Sequence, residues 1–565
     1  MAKVIVLGGG VAGMSAAHEL IERGFEVEVY DRNTEYFGGK ARSVKVPGTN
    51  ITDPTKFLPG EHGFRFFPGF YKHITDTMKR IPYGAGKTCF DNLIATETVE
   101  IAQTARKPII MPVNFPGNVK EIIEMVIAVI DAEKELTKEE IAFFTDRIWQ
   151  LMTSCSERYI DQYEQIGWWE YLRADDFSEA YRTLLVEGLT RSLVAAKAQS
   201  ASTRTVGSIF LQLIYGMINP SSHITDRVLN KPTNDAWLNP WLSYLISKGV
   251  KFHLGKKVTA LHVSNNQISG AAIQTVNGSQ AVQLITGDYY LLATPVEVAA
   301  QLINPDMLKV DASLQNIILL APNVEWMNGI QFYLNQQFDM HKGHTIYANS
   351  NWALTSISQM QFWGDYDIQN RYDGTVKGVL SVDISDWTAP GNFNKKAAQD
   401  CTLDEVKEEV WKQLQQAINV DGIVLSDEMK RFVHLDADIE PMKSEPSPLM
   451  KTLLSSDEVD KLQTLSNKEP LLVNQVNTWT LRPNSFTQIA NLYLASDYIK
   501  TNTDLATMEG ANEAARRAVN NIIEASGSKA ALCELWKFDE PLVLDVLKLN
   551  DQSRFKKGLS WSNPL

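Results

Sequence analysis

The fold is decided by residues 3–13, which have the sequence KVIVLGGGVAG. The apolar beginning predicts a buried strand, and Gly8, Gly10 and Gly13 follow with the spacing Gly-x-Gly-x-x-Gly. In such a motif the first glycine permits a tight turn, the second lets backbone N–H groups approach a pyrophosphate, and the third lets the next helix pack close to the strand. The stretch therefore predicts that a dinucleotide binds at the N-terminus of a helix that covers about 14–23.

A second strand and an acidic residue follow at the expected distance. Residues 25–30 have the sequence FEVEVY, which is typical of a strand, and Asp31 comes directly after them. An acid at this position is placed to bind a ribose 2′-hydroxyl and disfavours a 2′-phosphate. The alternative is an ordinary strand–helix–strand unit in which Asp31 only caps a turn. We favour dinucleotide binding because strand, turn, helix, strand and acid occur in the required order.

The composition indicates a large globular protein without a nucleic-acid partner. At about 150 residues per unit, 565 residues suffice for two to four structural units. The formal net charge of −13 provides no basic footprint for nucleic acid. Cys89, Cys155, Cys401 and Cys533 form no Cys-x-x-Cys pair, so neither a disulfide framework nor a zinc or iron–sulfur site is indicated, and no metal ligands are predicted.

The hydropathy of the chain gives no reason to expect a membrane-spanning helix, because no uninterrupted apolar run reaches about 18 residues. The first apolar residues belong to the nucleotide fold, which argues against a secretory signal. We therefore expect a cytoplasmic location and leave open a peripheral contact with the inner face of a membrane. Val119–Ile130 is the candidate segment for that contact, although such a helix packs more often in a core.

A glycine pair, Gly38 and Gly39, stands shortly after Asp31 and is flanked by Lys40 and Arg42. Alone, the pair indicates only a turn. In this position it resembles a pair that distinguishes a large family of flavin enzymes from simple nicotinamide dehydrogenases. The resemblance favours FAD over NAD as the dinucleotide.

Residues 59–71 are dense in glycine and aromatic residues, and without further context they indicate a packed loop. They resemble the Glu-x-Gly-x-x-x-Phe-x-Gly-x-Tyr stretch of plant- and cyanobacterial-type phytoene and ζ-carotene desaturases, which belong to the amine oxidase-like flavoprotein superfamily. Arg65 departs from this pattern, because the desaturases commonly carry a histidine there. The matching residues are Glu61, Gly63, Phe67, Gly69 and Tyr71.

Two further segments extend the resemblance. Val258 stands where the family contacts the adenine through its backbone, and Ala293 lies in an Ala-Thr-Pro strand end near the flavin nucleotide. Near the C-terminus, the family's Leu-Tyr-Leu-Ala-Gly-Asp and Met-Glu-Gly-Ala elements are matched by residues 492–497 and 508–511, with Ser496 in place of the usual glycine. The resemblance implies that Asp497 binds the ribityl and phosphate region and that the Met508-Glu509 turn faces the flavin pyrimidine.

The motifs and the resemblance together give one set of predicted FAD-binding residues. It consists of Gly8, Gly10, Val11, Ala12, Gly13, Asp31, Arg32, Gly38, Gly39, Lys40, Ala41, Arg42, Gly63, Phe64, Val258, Ala293, Asp497, Met508 and Glu509.

The resemblance also implies the fold class, α/β with an added α region: a Rossmann-like FAD-binding domain of the glutathione-reductase-2 type, a helical insert and a mixed or antiparallel-sheet substrate domain. Helical periodicity dominates from about 90 to 245, whereas Glu440–Pro470 has the composition of an exposed loop with one short helix. The predicted units are a discontinuous FAD-binding domain over 1–90, 245–300 and 485–530, a helical domain over 91–244, a mixed-sheet domain over 301–484 and a C-terminal extension over 531–565.

The first functional hypothesis is an FAD-dependent, desaturase-like oxidoreductase that transfers hydride from a C–H bond of a small apolar, isoprenoid or polyene-like substrate to flavin N5. Arg65 is the first catalytic candidate because a cation there would stabilise developing negative charge, and Tyr71 and His62 are the others. The alternative for Arg65 is a structural ion pair with a carboxylate such as Glu61.

Two other functions use the same frame. A flavin amine or amino-acid oxidase would need an aromatic pair beside the flavin and a polar substrate cage. A flavin-dependent isomerase or dehydroxylase would recycle the flavin within the turnover or use it structurally. The electron acceptor, whether oxygen, a quinone or a similar compound, stays open.

Overall fold

The computed structural model describes residues 1–112, 136–187, 197–218, 226–278, 281–442 and 464–564. Its centre is a parallel sheet assembled from three distant parts of the chain. Residues 4–7 of the middle strand are fully buried, as expected for a parallel strand that is covered on both faces. The strands of this parallel sheet, in spatial order, are Lys251–His253, Glu26–Tyr30, Lys3–Leu7, Tyr289–Leu292 and Leu492–Leu494.

Two helices from opposite ends of the chain pack together on this sheet. The helix Val11–Glu22 begins directly after Gly10, so the second half of the glycine motif is already helical, earlier than predicted. It contacts the helix Met508–Ser526, which carries buried alanines on the same side as Val519 and Ile522. The predicted frame of strand, glycine turn, helix and strand is therefore present, completed by the C-terminal part of the chain.

A second, larger sheet lies across the first. It is mixed, because Gly343–Tyr347 pairs in parallel with Thr98–Gln103 whereas the other neighbours are antiparallel. The amphipathic helix Leu403–Ile418 packs on this large sheet through Val406, Val410, Trp411 and Leu414. The strands of the large sheet, in spatial order, are Lys430–Leu435, Asn328–Leu334, Gly378–Ile384, Thr355–Ser358, Gly343–Tyr347, Thr98–Gln103 and Arg106–Pro112.

The region 91–244 differs from the predicted helical insert at its start. Residues 98–112 supply two strands of the large sheet, and Leu93–Ala95 joins a small sheet with Arg227–Leu229. Helices follow, and their aromatic residues form a separate core with the C-terminal helix Val543–Lys556. The described helices of this region include Lys138–Thr153, Trp168–Tyr171, Thr203–Ile218 and Asn239–Ser247.

Three segments for which the sequence makes a prediction lie wholly or partly outside the described residues. Val119–Ile130 lies outside the described residues. Within the helical domain predicted over 91–244, residues 188–196 also lie outside the described residues, and Leu185–Glu187 before them belongs to the π-helix Arg182–Glu187. The segment predicted as an exposed loop, Glu440–Pro470, has strands in its described parts. Ile439–Met442 runs antiparallel to Thr464–Asn467.

Smaller elements complete the described structure. A three-stranded antiparallel sheet, Lys256–Ser264, Gln267–Thr275 and Val282–Ile285, packs beside the parallel sheet. In the part of the chain that the structure describes, no helix has the length and apolar character needed to cross a membrane. The remaining described strands are Ser43–Lys45, Pro59–Glu61, Phe66–Phe67, Val324–Glu325 and Leu471–Leu472, and the remaining α-helices are His73–Lys79, Ser156–Arg158, Glu179–Tyr181, Val296–Leu302, Pro305–Val310 and Gln315–Leu320.

Candidate functional site

A cavity of about 1050 Å³ lies between the two main sheets. Gly8, Asp31 and Ala293 line it, and each comes directly after a strand of the parallel sheet. Carboxyl ends of parallel strands are where nucleotides bind in open α/β sheets. The opposite wall is formed by residues of the large sheet, including His344, Thr355 and Asp383.

The structure brings most of the predicted site residues together in this cavity. Of the predicted FAD-binding residues, only Gly13 and Glu509 are not among the lining residues. The three catalytic candidates also line the cavity. The predicted residues found in the wall are Gly8, Gly10, Val11, Ala12, Asp31, Arg32, Gly38, Gly39, Lys40, Ala41, Arg42, His62, Gly63, Phe64, Arg65, Tyr71, Val258, Ala293, Asp497 and Met508.

Gly13 has a packing role. A Cβ atom there would collide with the carbonyl oxygen of Gly8, which itself adopts φ +110°. The glycine thus lets the helix Val11–Glu22 lie close to the end of the strand, the role expected for the third glycine of the motif. Gly13 does not line the cavity itself but allows the helix to lie next to the glycine turn that does.

The glycine turn and the glycine pair contact each other. The N–H of Gly38 donates to Gly9 O at 2.8 Å, and a Cβ atom on Gly39 would stand 3.0 Å from Gly10 Cα. Two segments that the sequence analysis treats separately therefore form one surface of exposed backbone. Such a surface can approach a pyrophosphate closely because no side chain intervenes.

Asp31 combines the two roles between which the sequence left a choice. Its Oδ2 accepts from the Gly9 N–H at 2.6 Å and its Oδ1 from the Asn33 N–H at 2.7 Å, so the carboxylate does cap a turn. It also lines the cavity at the end of the second strand. Burial raises the pKa of Asp31.

The Glu509 side chain does not line the cavity, and the orientation of the Met508-Glu509 turn towards the flavin stays a prediction. Its carboxylate accepts from the backbone N–H groups of Lys72, His73 and Ile74, each at 2.9 Å. Its Oε1 also lies 2.7 Å from His73 Nδ1. The first-turn N–H groups of the helix His73–Lys79 hold this side chain, while Met508 beside it reaches the cavity.

The cations near the glycine pair are held by a segment that sequence reasoning missed. Arg42 Nη2 lies 2.9 Å from Asp438 Oδ2, and Arg32 Nη2 lies 2.7 Å from Glu469 Oε1. Lys40 donates to the carbonyl of Pro470. Their partners fall in or next to the region predicted to be an exposed loop, where no motif indicated a contact with the N-terminal part of the chain.

Arg65 is a half-buried cation without a direct ion pair in the described structure. Its Nη2 donates to Lys40 O at 3.3 Å, and its Nε has no hydrogen-bond partner among the described residues. The alternative for Arg65, an ion pair with Glu61, is not formed; the Glu61 carboxylate accepts from the N–H and Oγ1 of Thr233, both at 2.9 Å. Burial lowers the pKa of Arg65 and raises that of Glu61 to about 7.

His62 belongs to an ion-pair network that reaches Arg42. His62 Nδ1 lies 2.6 Å from Asp436 Oδ2 and 3.5 Å from Asp438 Oδ2. Burial opposes a charge on His62, but the attraction of Asp436 outweighs it and raises the pKa of the imidazole to about 9. The three groups stand close enough to share a cation. Because Asp438 is paired with Arg42, and Asp436 with His62, their charges are already compensated.

Tyr71 lies in an aromatic group at the edge of the cavity. Its ring meets Phe70 at 5.3 Å and Phe67 at 6.4 Å between ring centroids, both edge to face. Burial raises the pKa of its hydroxyl. The phenol is therefore neutral at physiological pH.

Unpartnered polar atoms in the wall indicate that the cavity holds a polar ligand. A buried polar group without a partner costs about 1–3 kcal/mol, and seven residues of the wall carry such an atom within the described structure. FAD, with its pyrophosphate, sugar hydroxyls and ring heteroatoms, fits this requirement. The atoms are His62 Nε2, Arg65 Nε, Thr294 Oγ1, Glu297 Oε1, His344 Nε2, Thr355 Oγ1 and Asp383 Oδ1.

Another part of the wall is apolar. Ile209 and Leu213 lie one turn apart on the helix Thr203–Ile218, and aromatic side chains of residues 64–70 complete this part. No sequence motif indicated either of these helical residues as part of the site. The apolar side chains of the wall include Phe64, Phe66, Phe70, Ile209, Leu213, Met327 and Leu505.

The sequence profile of the flavin containing amine oxidoreductases matches residues 11–523. The chain belongs to this family. Membership confirms an amine oxidase-like flavoprotein with FAD as its cofactor, and its enzyme class is flavin-dependent oxidoreductase. The match runs from the helix Val11–Glu22, directly after the glycine turn, into the C-terminal helix Met508–Ser526.

Curated relatives include carotenoid enzymes. The ζ-carotene desaturase of Arabidopsis thaliana is 39% identical over 80 residues, which cover 14% of this chain and only 12% of the relative. The probable ζ-carotene desaturase of Synechococcus elongatus is 21% identical over 544 residues, which cover 94% of this chain and 100% of the relative. The stronger identity is thus confined to a short segment.

A solved structure supports the fold. The cyclohexylamine oxidase of Brevibacterium oxydans has a TM-score of 0.57 at 12% identity, over 93% of this chain and 99% of that one. The mixed α/β fold of flavin-dependent amine oxidases is therefore shared. The finer assignment to the glutathione-reductase-2 type stays a prediction.

Proposed function

We propose that this protein is an FAD-dependent desaturase that acts on an apolar, isoprenoid or polyene-like substrate. The observation that carries the proposal is the apolar wall of Phe64, Phe66, Phe70, Ile209 and Leu213 in the same cavity as the glycine turn. Apolar walls with few polar groups are typical of sites for apolar ligands. The desaturases among the relatives support the same substrate class.

In this proposal the dinucleotide binds in the part of the cavity that is lined by the glycine turn. The backbone of Gly8, Gly10 and Gly39 faces the pyrophosphate, and Asp31 accepts a hydrogen bond from the adenosine ribose. The wall residues Arg32, Lys40, Arg42, Val258, Ala293, Asp497 and Met508 complete the proposed FAD site. When bound, FAD supplies the hydride acceptor.

The large-sheet side of the cavity is the proposed reaction chamber. Arg65, which is half-buried, and His62, which is buried, place two positive charges in its wall, and both have an unpartnered nitrogen. In a site shielded from water such charges stabilise negative charge that develops during reaction. Tyr71 is neutral and closes the chamber with its ring.

The proposed reaction determines which molecules the protein must bind. The proposal requires a small apolar substrate and an electron acceptor such as oxygen or a quinone, and it involves no nucleic acid. A cytoplasmic location with peripheral contact at the inner face of a membrane would give access to such a substrate. Flotation of the protein with anionic and with neutral vesicles tests that contact, and its absence from both vesicle fractions contradicts it.

Anaerobic mixing tests the proposed substrate class. The purified yellow protein is mixed with polyenes dispersed in detergent and, separately, with primary amines, and the flavin absorption is followed. We expect polyenes to bleach the flavin band and amines to leave it unchanged. Bleaching by amines alone would replace the proposal with an amine oxidase.

A further inference from the structure

Asp383 is a carboxylate of the reaction chamber that no sequence motif indicates. It lies in the strand Gly378–Ile384 of the large sheet, in register with Gly329 on one neighbouring strand and Thr355 on the other. The residue is 6% exposed and lines the cavity. Its Oδ1 is buried without a hydrogen-bond partner in the described structure.

Two glycines bring the peptide of His62 and Gly63 against this carboxylate. A Cβ atom on Gly63 would stand 2.8 Å from Asp383 Oδ1, and one on Gly329 would stand 2.8 Å from Gly63 Cα. The Gly329 N–H donates to His62 O at 2.6 Å, which fixes the peptide on the sheet. The loop with the candidate catalytic residues is therefore held directly beside Asp383.

The surroundings of Asp383 give its carboxyl a pKa close to physiological pH. Burial raises the pKa of Asp383 to about 7, against the opposing attraction of Arg65 and His62 and a hydrogen bond from the Phe64 N–H. Asp436 adds a repulsion that acts in the same direction as burial. His344, which also lines the cavity, is neutral because burial lowers its pKa to about 3. A group with a pKa near the working pH can accept a proton and release it again.

Desaturation needs such a group, because two hydrogens leave the substrate in different forms. One carbon loses a hydride to the flavin, the adjacent carbon loses a proton, and the remaining electron pair becomes the second bond of C=C. We propose that Asp383 is the catalytic base that accepts this proton. The inference rests on the proposed desaturase function. The proton passes to solvent after turnover, and oxygen or a quinone takes the two electrons from the flavin.

The test compares Asp383→Asn with Glu100→Gln as the matched control. Glu100 is a buried carboxyl of the same large sheet whose pKa burial also raises to about 7, and it is not among the residues that line the cavity. Both FAD-loaded variants are mixed anaerobically with a polyene. We expect the rate of flavin reduction to fall at least about 100-fold in Asp383→Asn, in line with general-base catalysis, and to stay unchanged in Glu100→Gln.

Two readouts do not depend on turnover by the variant. In the wild type, the rate of flavin reduction should rise with pH through about 7, and a flat profile there would overturn the proposal. Infrared difference spectra of the FAD-loaded protein should show carboxyl bands that titrate near pH 7, and Asp383→Asn and Glu100→Gln should each remove a different component of them, because both groups have a pKa of about 7. An unchanged spectrum in Asp383→Asn would also overturn it.

The possible failures can be told apart. If polyenes bleach the wild type and Asp383→Asn at rates within about threefold, the catalytic base is wrong and the desaturase proposal stands. If polyenes do not bleach the wild type, the desaturase proposal fails and the catalytic role of Asp383 fails with it. FAD content and thermal unfolding of each variant establish that it is folded.

Discussion

The ion pair between His62 and Asp436 sets the charge in the chamber, and Asp436→Asn should remove it. Asparagine keeps the size and polarity of the side chain but not the charge. The difference between the ordinary pKa of 6.5 and about 9 corresponds to roughly 3 kcal/mol at about 1.4 kcal/mol per pKa unit. Without Asp436, burial and the nearby charge of Arg65 oppose protonation and only the more distant Asp438 still favours it, so the pKa of His62 should fall well below about 9.

Heteronuclear NMR of histidine-labelled protein measures this pKa directly. The His62 signal is assigned through its loss in His62→Gln. His341 is the internal reference, because burial lowers its pKa to about 4 and the substitution should leave it there. A His62 pKa that stays above about 8 in Asp436→Asn would refute the assignment of Asp436 as the group that holds the proton.

The same ion pair predicts the pH dependence of stability. A folded-state pKa above 6.5 means that the pair stabilises the fold fully below about pH 6.5 and that this contribution is lost as the pH rises through about 9. The wild type should therefore lose up to roughly 3 kcal/mol over this window relative to Asp436→Asn. Parallel stability curves for the two proteins between pH 6.5 and 9 would contradict the argument.

Three further substitutions test the cofactor half of the cavity. Asp31→Ala should weaken FAD binding by about 1–3 kcal/mol, or roughly 5- to 150-fold in Kd measured by flavin fluorescence, because a buried acceptor is lost. Gly13→Ala should abolish FAD retention because its Cβ meets the Gly8 carbonyl, whereas Gly364→Ala, with open space around it, should retain FAD; equal FAD content would contradict this. Glu509→Gln should lower the free energy of unfolding by about 1–3 kcal/mol without shifting the flavin absorption band, and a shifted band would place Glu509 at the flavin after all.

The cofactor half of the site could be predicted because its determinants are local. The roles of Gly8, Gly10 and Gly13 follow from backbone geometry within one turn, and Asp31 has a fixed distance from them along the chain. The resemblance of the C-terminal segment then placed Asp497 at the same sheet. Those predictions needed no knowledge of long-range packing.

The reaction chamber could not be predicted in the same way. Asp383 is a single acid in an apolar strand, and only the pairing of that strand with Gly329 and the approach of Gly63 bring it to the cavity. Residues 98–112 form a local strand pair, and only Thr98–Gln103 joins the rest of the large sheet, through a partner strand more than 200 residues away. The helical pattern of the following segment therefore dominated the sequence interpretation. Glu509 matched its motif, but the helix it caps lies more than 430 residues earlier.

The central claim, that an apolar substrate is desaturated in this chamber, is tested most directly by a single anaerobic turnover with product analysis. FAD-loaded protein is mixed with a polyene in the absence of any other electron acceptor, and flavin absorption and substrate mass are measured together. We predict one new C=C bond, with the loss of two hydrogens from the substrate, for each flavin reduced. A product of unchanged mass with the flavin still oxidised, which would indicate an isomerase, or no reaction with polyenes at all would contradict the claim.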